Sequence, residues 1–489
     1  MVTEKEKFKL YSNEWVLSSS IIGLSNIRRT RFKVIKILWI ISLLACLGIC
    51  SKMIVDLVIK YLNFQVNISL KIQSSSFQDF PAITFCNLNS FDRSKSSSIL
   101  QGIINENNLS DYSNPQIVKN LLKSKIAGGS LDKKLVGFTI DDMLLSCLFN
   151  DKPCDSQDFI LFYDFDYVNC YTFNSGYDQN GTKIPIKKIN EAGTDRSLKL
   201  ELYLGLDRFN LTKFVTNNGV KIVVHNQSVT PIISSDGIDI TTGFQNNIGI
   251  TKSFRYGLPW PYSSCIKNTK SIDGHESFYY KAFFTSLNMT SYRQKTCLKL
   301  CLQDFILKKC QCLDGSLPNI YKNVTICQSL ETIKCTIDAR GEYYSKELVC
   351  EGCPIECDSI QYSTSLSYSR YPTNYYLNYI KNKTNILSKI NEFYNEGNIS
   401  KSALIANIFY DELDYSVIEQ VPAVSFDYLI SNIGGNLGLF IGVSVLSLFE
   451  LVEYMLQIII FTIKTSKLNK KSSINIKAKY LKNENSLSI

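Results

Sequence analysis

Two apolar stretches near opposite ends, each bordered on its outer side by lysines and arginines, constrain this chain more than any other feature. The first runs from Val34 to Lys60. Its uncharged core, Ile37 to Ser51, is fifteen residues long, so Lys52 must snorkel or face protein. It starts too far from Met1, and lacks the small-residue cleavage site, to be a cleaved signal peptide. It reads as a retained span. The second stretch, Tyr428 to Ile463, is interrupted only by Glu450 and Glu453. At about 1.5 Å per helical residue it is longer than a bilayer core of about 30 Å requires.

Charge supports this reading. The net charge of +9 is concentrated at the ends: residues 1–36 carry eight Lys or Arg against three Glu, and residues 464–489 carry seven Lys against one Glu. A nucleic-acid binder would place its basic patch on a folded face. Here the surplus flanks the apolar stretches, as cytoplasmic flanks do. Nucleic acid is therefore not an expected partner, and a lipid bilayer is. The expected organisation is a cytoplasmic tail (1–33), a first span (34–60), an extracellular domain (61–424), a second span (425–463) and a second cytoplasmic tail (464–489). The polar and lysine-rich last 26 residues read as disordered.

Two counts agree with an extracellular central region. Nine N-x-Ser/Thr sequons, at Asn67, Asn108, Asn180, Asn210, Asn226, Asn288, Asn323, Asn382 and Asn398, all lie between the spans. So do fourteen of the sixteen cysteines, an even number that suits an oxidising compartment. Cys46 and Cys50 fall in the first span and read as free packing thiols. Ten of the fourteen are concentrated between Cys265 and Cys357. Zinc binding is the cytosolic reading of Cys-x2-Cys spacings, and disulfides the extracellular one. Spacing leaves the pairing open.

Between the spans the sequence reads as mixed α and β. Phe64, Val66, Ile68, Leu70 and Ile72 alternate with polar residues, which predicts a half-buried strand directly after the first span. Further strands are expected at Leu198–Leu204, Val220–Val224 and Tyr415–Val421, and a helix at Thr296–Leu307. A sheet joined to both spans could carry ectodomain rearrangement to a pore.

The second span carries most of the functional information. Gly434, Gly438 and Gly442 recur every four residues on one small face, the usual device for close helix approach in membranes. Polar Ser431, Asn432, Asn436 and Ser444 lie in the same segment, where polar groups face protein or water. Glycines also let a helix open and present carbonyl oxygens to a cation. Glu450 and Glu453, three apart on one face, would form carboxylate rings in a symmetric oligomer.

Ser431 to Ser444, continuing through Val445-Leu446-Ser447-Leu448-Phe449-Glu450, resembles the second-span signature of the degenerin/epithelial sodium channel family, with its Gly-x-Ser filter. Phe80-Pro81-Ala82-Ile83-Thr84-Phe85-Cys86-Asn87 resembles that family's motif after the first span. The cysteine ladder is similar in order and spacing, and Tyr415 with Ile418-Glu419-Gln420 resembles the strand before the second span. The resemblance runs from about Ser18 to Tyr454. It implies an α+β membrane protein with two transmembrane helices and a hand-like, disulfide-rich ectodomain, assembled with two identical or homologous subunits into a trimer. It implies an amiloride-sensitive sodium channel rather than an enzyme, with sodium as the permeant ion and no cofactor or metal. Gly442, Val443 and Ser444 would form the selectivity filter, where the span breaks in two. Ser431, with Asn432, Gly434, Gly435 and Gly438, would form the gate and blocker region, and Glu450 and Glu453 the cytoplasmic mouth. Gly23 matches the glycine of a cytoplasmic His-Gly gating motif whose histidine is here Ile22. Phe64 and the Pro261-Tyr262 turn fall where an aromatic contact couples ectodomain to spans. The implied disulfides are Cys86–Cys170, Cys147–Cys154, Cys265–Cys357, Cys297–Cys353, Cys301–Cys350, Cys310–Cys335 and Cys312–Cys327.

The stimulus is less constrained. Acid sensing uses clustered carboxylates and histidines, but the chain has only His225 and His275. Gln65 and Val66 stand where acid-sensing relatives have histidines, Ile72 and Ser416 where they have carboxylates, and Ile337 and Gly341 where they have pocket aspartates, with Asp338 and Glu342 one residue away. The expectation is an extracellular ligand of the neuropeptide type, with proton, mechanical or constitutive opening as alternatives. Among other classes, an ATP-gated channel would carry ten ectodomain cysteines, and an ectoenzyme would need a catalytic motif that is missing here. A non-conducting adhesion receptor is the remaining alternative.

Overall fold

The computed structural model describes residues 15–17, 22–107, 115–129, 131, 136–205, 217–227, 229–287, 289–347, 349–376, 401–447, 449–460 and 463. Helices α1 (Ile22–Arg29) and α2 (Lys33–Leu62) precede strands β1 (Val66–Gln73), β2 (Gln78–Asp79) and β3 (Ala82–Asn87). Helices α3 (Arg93–Glu106) and α4 (Pro115–Ala127) follow. Next come β4 (Leu144–Phe149), β5 (Lys152–Pro153), β6 (Phe159–Asp164), β7 (Val168–Phe173), β8 (Lys188–Ile189), β9 (Leu198–Tyr203), β10 (Val220–His225), β11 (Ile238–Ile240) and β12 (Phe244–Tyr256). Helices α5 (Phe278–Thr285), α6 (Gln294–Cys310) and α7 (Leu330–Ser345) lead to β13 (Asp358–Arg370) and β14 (Ala403–Pro422). Helices α8 (Phe426–Ile441) and α9 (Val445–Ile460) end the described chain. Two compact units result: Met1–Asn67 with Pro422–Ile489, and Ile68–Val421.

The larger unit holds two main sheets. One orders its strands β13-β12-β14-β9-β4-β5, with β1 also paired to β14. The other runs β11-β10-β3-β7-β6. Phe85, Phe159, Phe173 and Ile222 of the second sheet meet Leu200, Ile248, Leu404 and Ile408 of the first in one dry core. Both faces of β3 and β7 are covered, so they read as continuous burial rather than alternation. The predicted helix over 296–307 is longer at both ends, because α6 continues to Cys310. It stops there as Gln311 turns left-handed (φ 57°) and donates its N–H to Leu307 O at 2.9 Å.

Fourteen cysteines close seven disulfides: Cys86–Cys170, Cys147–Cys154, Cys265–Cys357, Cys297–Cys353, Cys301–Cys350, Cys310–Cys335 and Cys312–Cys327. These are the seven pairs that the family resemblance implies. Cys297 and Cys301 lie one turn apart on α6, so one face of that helix meets Cys353 and Cys350. Cys46 and Cys50 are free thiols. Among the described sequons, Asn67, Asn180 and Asn323 are exposed and Asn226 is half-buried. Asn108, Asn210, Asn288, Asn382 and Asn398 lie outside the described residues.

One expectation needs correction. The strand after the first span starts at Val66, not Phe64, which is left-handed (φ 48°). Its apolar face is not half-buried either: Ile68, Leu70 and Ile72 are 71%, 65% and 73% exposed. This edge strand bonds β14 on one side, and among the described residues no element covers the apolar face.

Candidate pore segment

In the smaller unit, α2 is 30 residues long and largely apolar, yet Cys50 is its one buried residue. Such a surface is costly in water and ordinary in lipid. It is the one described helix that is by itself long and apolar enough to cross a bilayer. Helix α8 has 16 residues and is too short to cross alone; α8 and α9 reach that length only together, and they meet at a bend of 76°. Helices α1 and α8 both pack on α2. Gly23 in α1 lies close to α2: a Cβ there would sit 2.8 Å from Leu43 Cδ1 and displace that methyl.

The break between α8 and α9 is written into its residues. Helix α8 starts with Ser425, whose side chain accepts from Tyr428 N at 3.1 Å. It stops at Gly442, which adopts φ 77°, ψ 14° and donates its N–H to Gly438 O at 3.0 Å. That left-handed termination is strained for any residue with a Cβ and free for glycine. Val443 N donates to Leu437 O at 3.2 Å. Ser444 then caps α9: its N–H donates to Ser447 Oγ at 3.0 Å, and Ser447 N donates back to Ser444 Oγ at 3.4 Å. Three residues, Gly442, Val443 and Ser444, are thereby held out of the helix. The last carbonyls of α8 lose their helical partners, as at any helix end.

The remaining predicted residues fall as follows. Ser431 is exposed, and Asn432 donates its side-chain amide to Tyr428 O at 2.9 Å. An added Cβ at Gly434 or Gly435 would meet nothing within 4 Å, and at Gly438 only Val443 O at 3.8 Å. Among the described residues, nothing packs closely on Gly434, Gly435 or Gly438. Glu453 accepts from Gln457 Nε2 at 3.1 Å, while Glu450 is half-buried on the same helix. Phe64 belongs to the smaller unit, with its ring 6.4 Å from that of Tyr61. Pro261 and Tyr262 belong to the larger unit, where Tyr262 N donates to Pro259 O at 3.0 Å. Ser447 was missed by sequence reasoning. The Ser-x-x-Ser spacing from Ser444 was the signal, a helix-start pattern hidden inside an apolar run.

Chemically, this break offers carbonyl and hydroxyl oxygens within an apolar segment, where they can replace part of a cation's hydration shell. Among the described residues no His/Cys/Asp/Glu cluster could hold a metal ion.

A comparison with known families matches residues 16–454 to the amiloride-sensitive sodium channel family. The human bile acid-sensitive ion channel is 25% identical over 470 residues, covering 93% of this chain and 86% of that protein. Acid-sensing ion channel 1C of Danio rerio is 27% identical over 449 residues, covering 87% and 79%. The gamma subunit of the Neoceratodus forsteri epithelial sodium channel is 30% identical over 329 residues, covering 66% of this chain and 47% of that one. These relatives are ion channels, not enzymes. With a match spanning nearly its whole length, the chain belongs to the amiloride-sensitive sodium channel family.

Proposed function

We propose that this chain is one subunit of a trimeric, sodium-selective, amiloride-blocked channel, with two membrane spans and both termini in the cytoplasm. The carrying observation is the capped break at Gly442-Val443-Ser444. One chain supplies too few oxygens there to replace a hydration shell, whereas three copies around an axis supply a ring. The open glycine face of α8 suits close approach of neighbouring copies. In this reading Gly442 to Ser444 select the ion, and Ser431, Asn432, Gly434, Gly435 and Gly438 line the gate and blocker region. Glu450 and Glu453 concentrate cations at the cytoplasmic mouth, and Gly23 takes part in gating from α1. Phe64 with Pro261 and Tyr262 couples the two units.

The opening signal in this reading is an extracellular ligand of the peptide type. Its support is the loss of acid-sensing chemistry. His225 is half-buried at the end of β10 and held down at about 4, with desolvation rather than charge as the main cause. Glu342 is held down at about 2 by hydrogen bonds from Lys309 and Lys346. Neither group titrates in mildly acidic fluid. Proton gating is the second reading, favoured by the likeness to an acid-sensing channel.

Expression in oocytes tests the proposal. Replacing external sodium, or adding amiloride, should abolish the inward current, and Ser431→Cys modified with a bulky thiol reagent should leave a standing current. Surface-expressed protein that passes no current in either form would sink the channel reading.

A further inference from the structure

A cavity of about 290 Å³ opens in the larger unit where α4, the β6–β7 turn and α7 converge. That is near the lower limit of sites for drug-sized molecules, about 300–1,000 Å³, so it suits something smaller. Its walls are fixed. Cys312–Cys327 and Cys310–Cys335 staple one side, and Gln303, fully buried, clamps the Asp314 backbone with bonds of 3.0 and 3.1 Å.

The polar lining is two-signed. On one side Arg340 donates from Nε and Nη2 to Asp314 Oδ2, at 2.9 and 2.6 Å, and also bonds Ser316. Its Nη1 carries no hydrogen bond among the described residues. On the other side Asp166 receives buried Lys123 on Oδ1 at 3.2 Å, leaving Oδ2 unbonded among the described residues. Asp166 is held by Asp164, whose Oδ1 accepts from Asp166 N at 2.8 Å. Ser124, 5% exposed, adds a hydroxyl to the lining, and Phe165, Ile333 and Ile337 supply an apolar wall. Burial, then the neighbouring Lys123, holds Lys119 on the same helix down at about 8.

We propose that this cavity binds a free α-amino acid with a medium apolar side chain. The carboxylate lies on Arg340 Nη1 and the Ser124 hydroxyl, the ammonium on Asp166 Oδ2, and the side chain against Ile333 and Ile337. Each end of such a zwitterion meets its opposite charge, and the salt bridges Arg340–Asp314 and Lys123–Asp166 keep both receptors oriented before binding. The inference does not depend on the pore reading, since binding is measured without current.

The test uses the full-length chain in detergent, with L-leucine as probe, by thermal shift and calorimetry. Leucine at about 10 mM should raise the melting temperature by mass action. The same concentration of 4-methylpentanoate, which lacks the ammonium, or of 3-methylbutylamine, which lacks the carboxylate, should not. Asp166→Asn should weaken leucine binding about tenfold or more. Because that change also strips Lys123 of its partner, Ile337→Trp serves as a second variant: it fills the cavity from a 39% exposed position without touching a charge and should abolish binding. No response to leucine, a response to either analogue as large as that to leucine, or unaltered binding in Ile337→Trp would each overturn the proposal.

Discussion

His225 shows how much one residue's surroundings decide. Its Nδ1 faces Asn226 O at 3.0 Å and must therefore donate, so the neutral ring accepts at Nε2 from Thr84 Oγ1, 2.8 Å away. Thr172 continues the chain of hydroxyls at 2.8 Å from Thr84. Burial holds the imidazole at about 4, whereas in the unfolded chain it takes up its proton near 6.5. Between those values the unfolded state binds more protons. Stability is therefore full above about pH 6.5 and falls as the pH drops toward 4, by up to about 3 kcal/mol. Thermal melts of the detergent-solubilised chain should show this decline, and His225→Gln should flatten it relative to the parent. Equal slopes in the two proteins would contradict the assignment. The sequence displayed a histidine in an apolar strand but not its neighbours. Those come from β3 and β7, which sit far from it along the chain.

At the scale of elements, α6 and α7 show where covalent bonds do what a core usually does. The cluster they share holds only Leu302, Ile306, Leu317 and Ala339 as buried members. Two disulfides, Cys310–Cys335 and Cys312–Cys327, cross-link the region. Closing the 15-residue separation between Cys312 and Cys327 is worth about 3 kcal/mol through the unfolded state. Replacing both cysteines by serine should lower the melting temperature accordingly and loosen the α7 side of the neighbouring cavity. The check is hydrogen exchange at Leu330–Ser345, which should quicken more than exchange at β9. The helix break belongs to this scale too. Its residues are plain in the sequence, as glycine for the left-handed turn and serine for the following cap. The 76° bend is not, because capping ends a helix without setting the direction of the next.

At the scale of the molecule, the proposed topology and assembly make one joint prediction. Epitope tags on either end should bind antibody only after the cells are permeabilised. Treatment of surface protein with a glycosidase should lower its apparent mass on a gel by removing glycans from exposed sequons such as Asn180 and Asn323. Chemical cross-linking of the solubilised protein should then stop at three subunits. A tag accessible on intact cells, or a ladder ending at two, would refute the corresponding part. Much of this was legible without coordinates. Runs of apolar residues long enough for a bilayer, basic flanks, sequons and cysteines confined to one region, and the glycine-serine segment are local properties that composition and spacing carry directly. The cysteine pairing was legible through the family resemblance though not through spacing, whereas tertiary structure alone decided that β1 leaves Ile68, Leu70 and Ile72 uncovered, and that Arg340 and Asp166, distant in sequence, line one cavity. Those outcomes depend on which elements meet across hundreds of residues, and hydrophobic period and turn chemistry say nothing about partners that far apart.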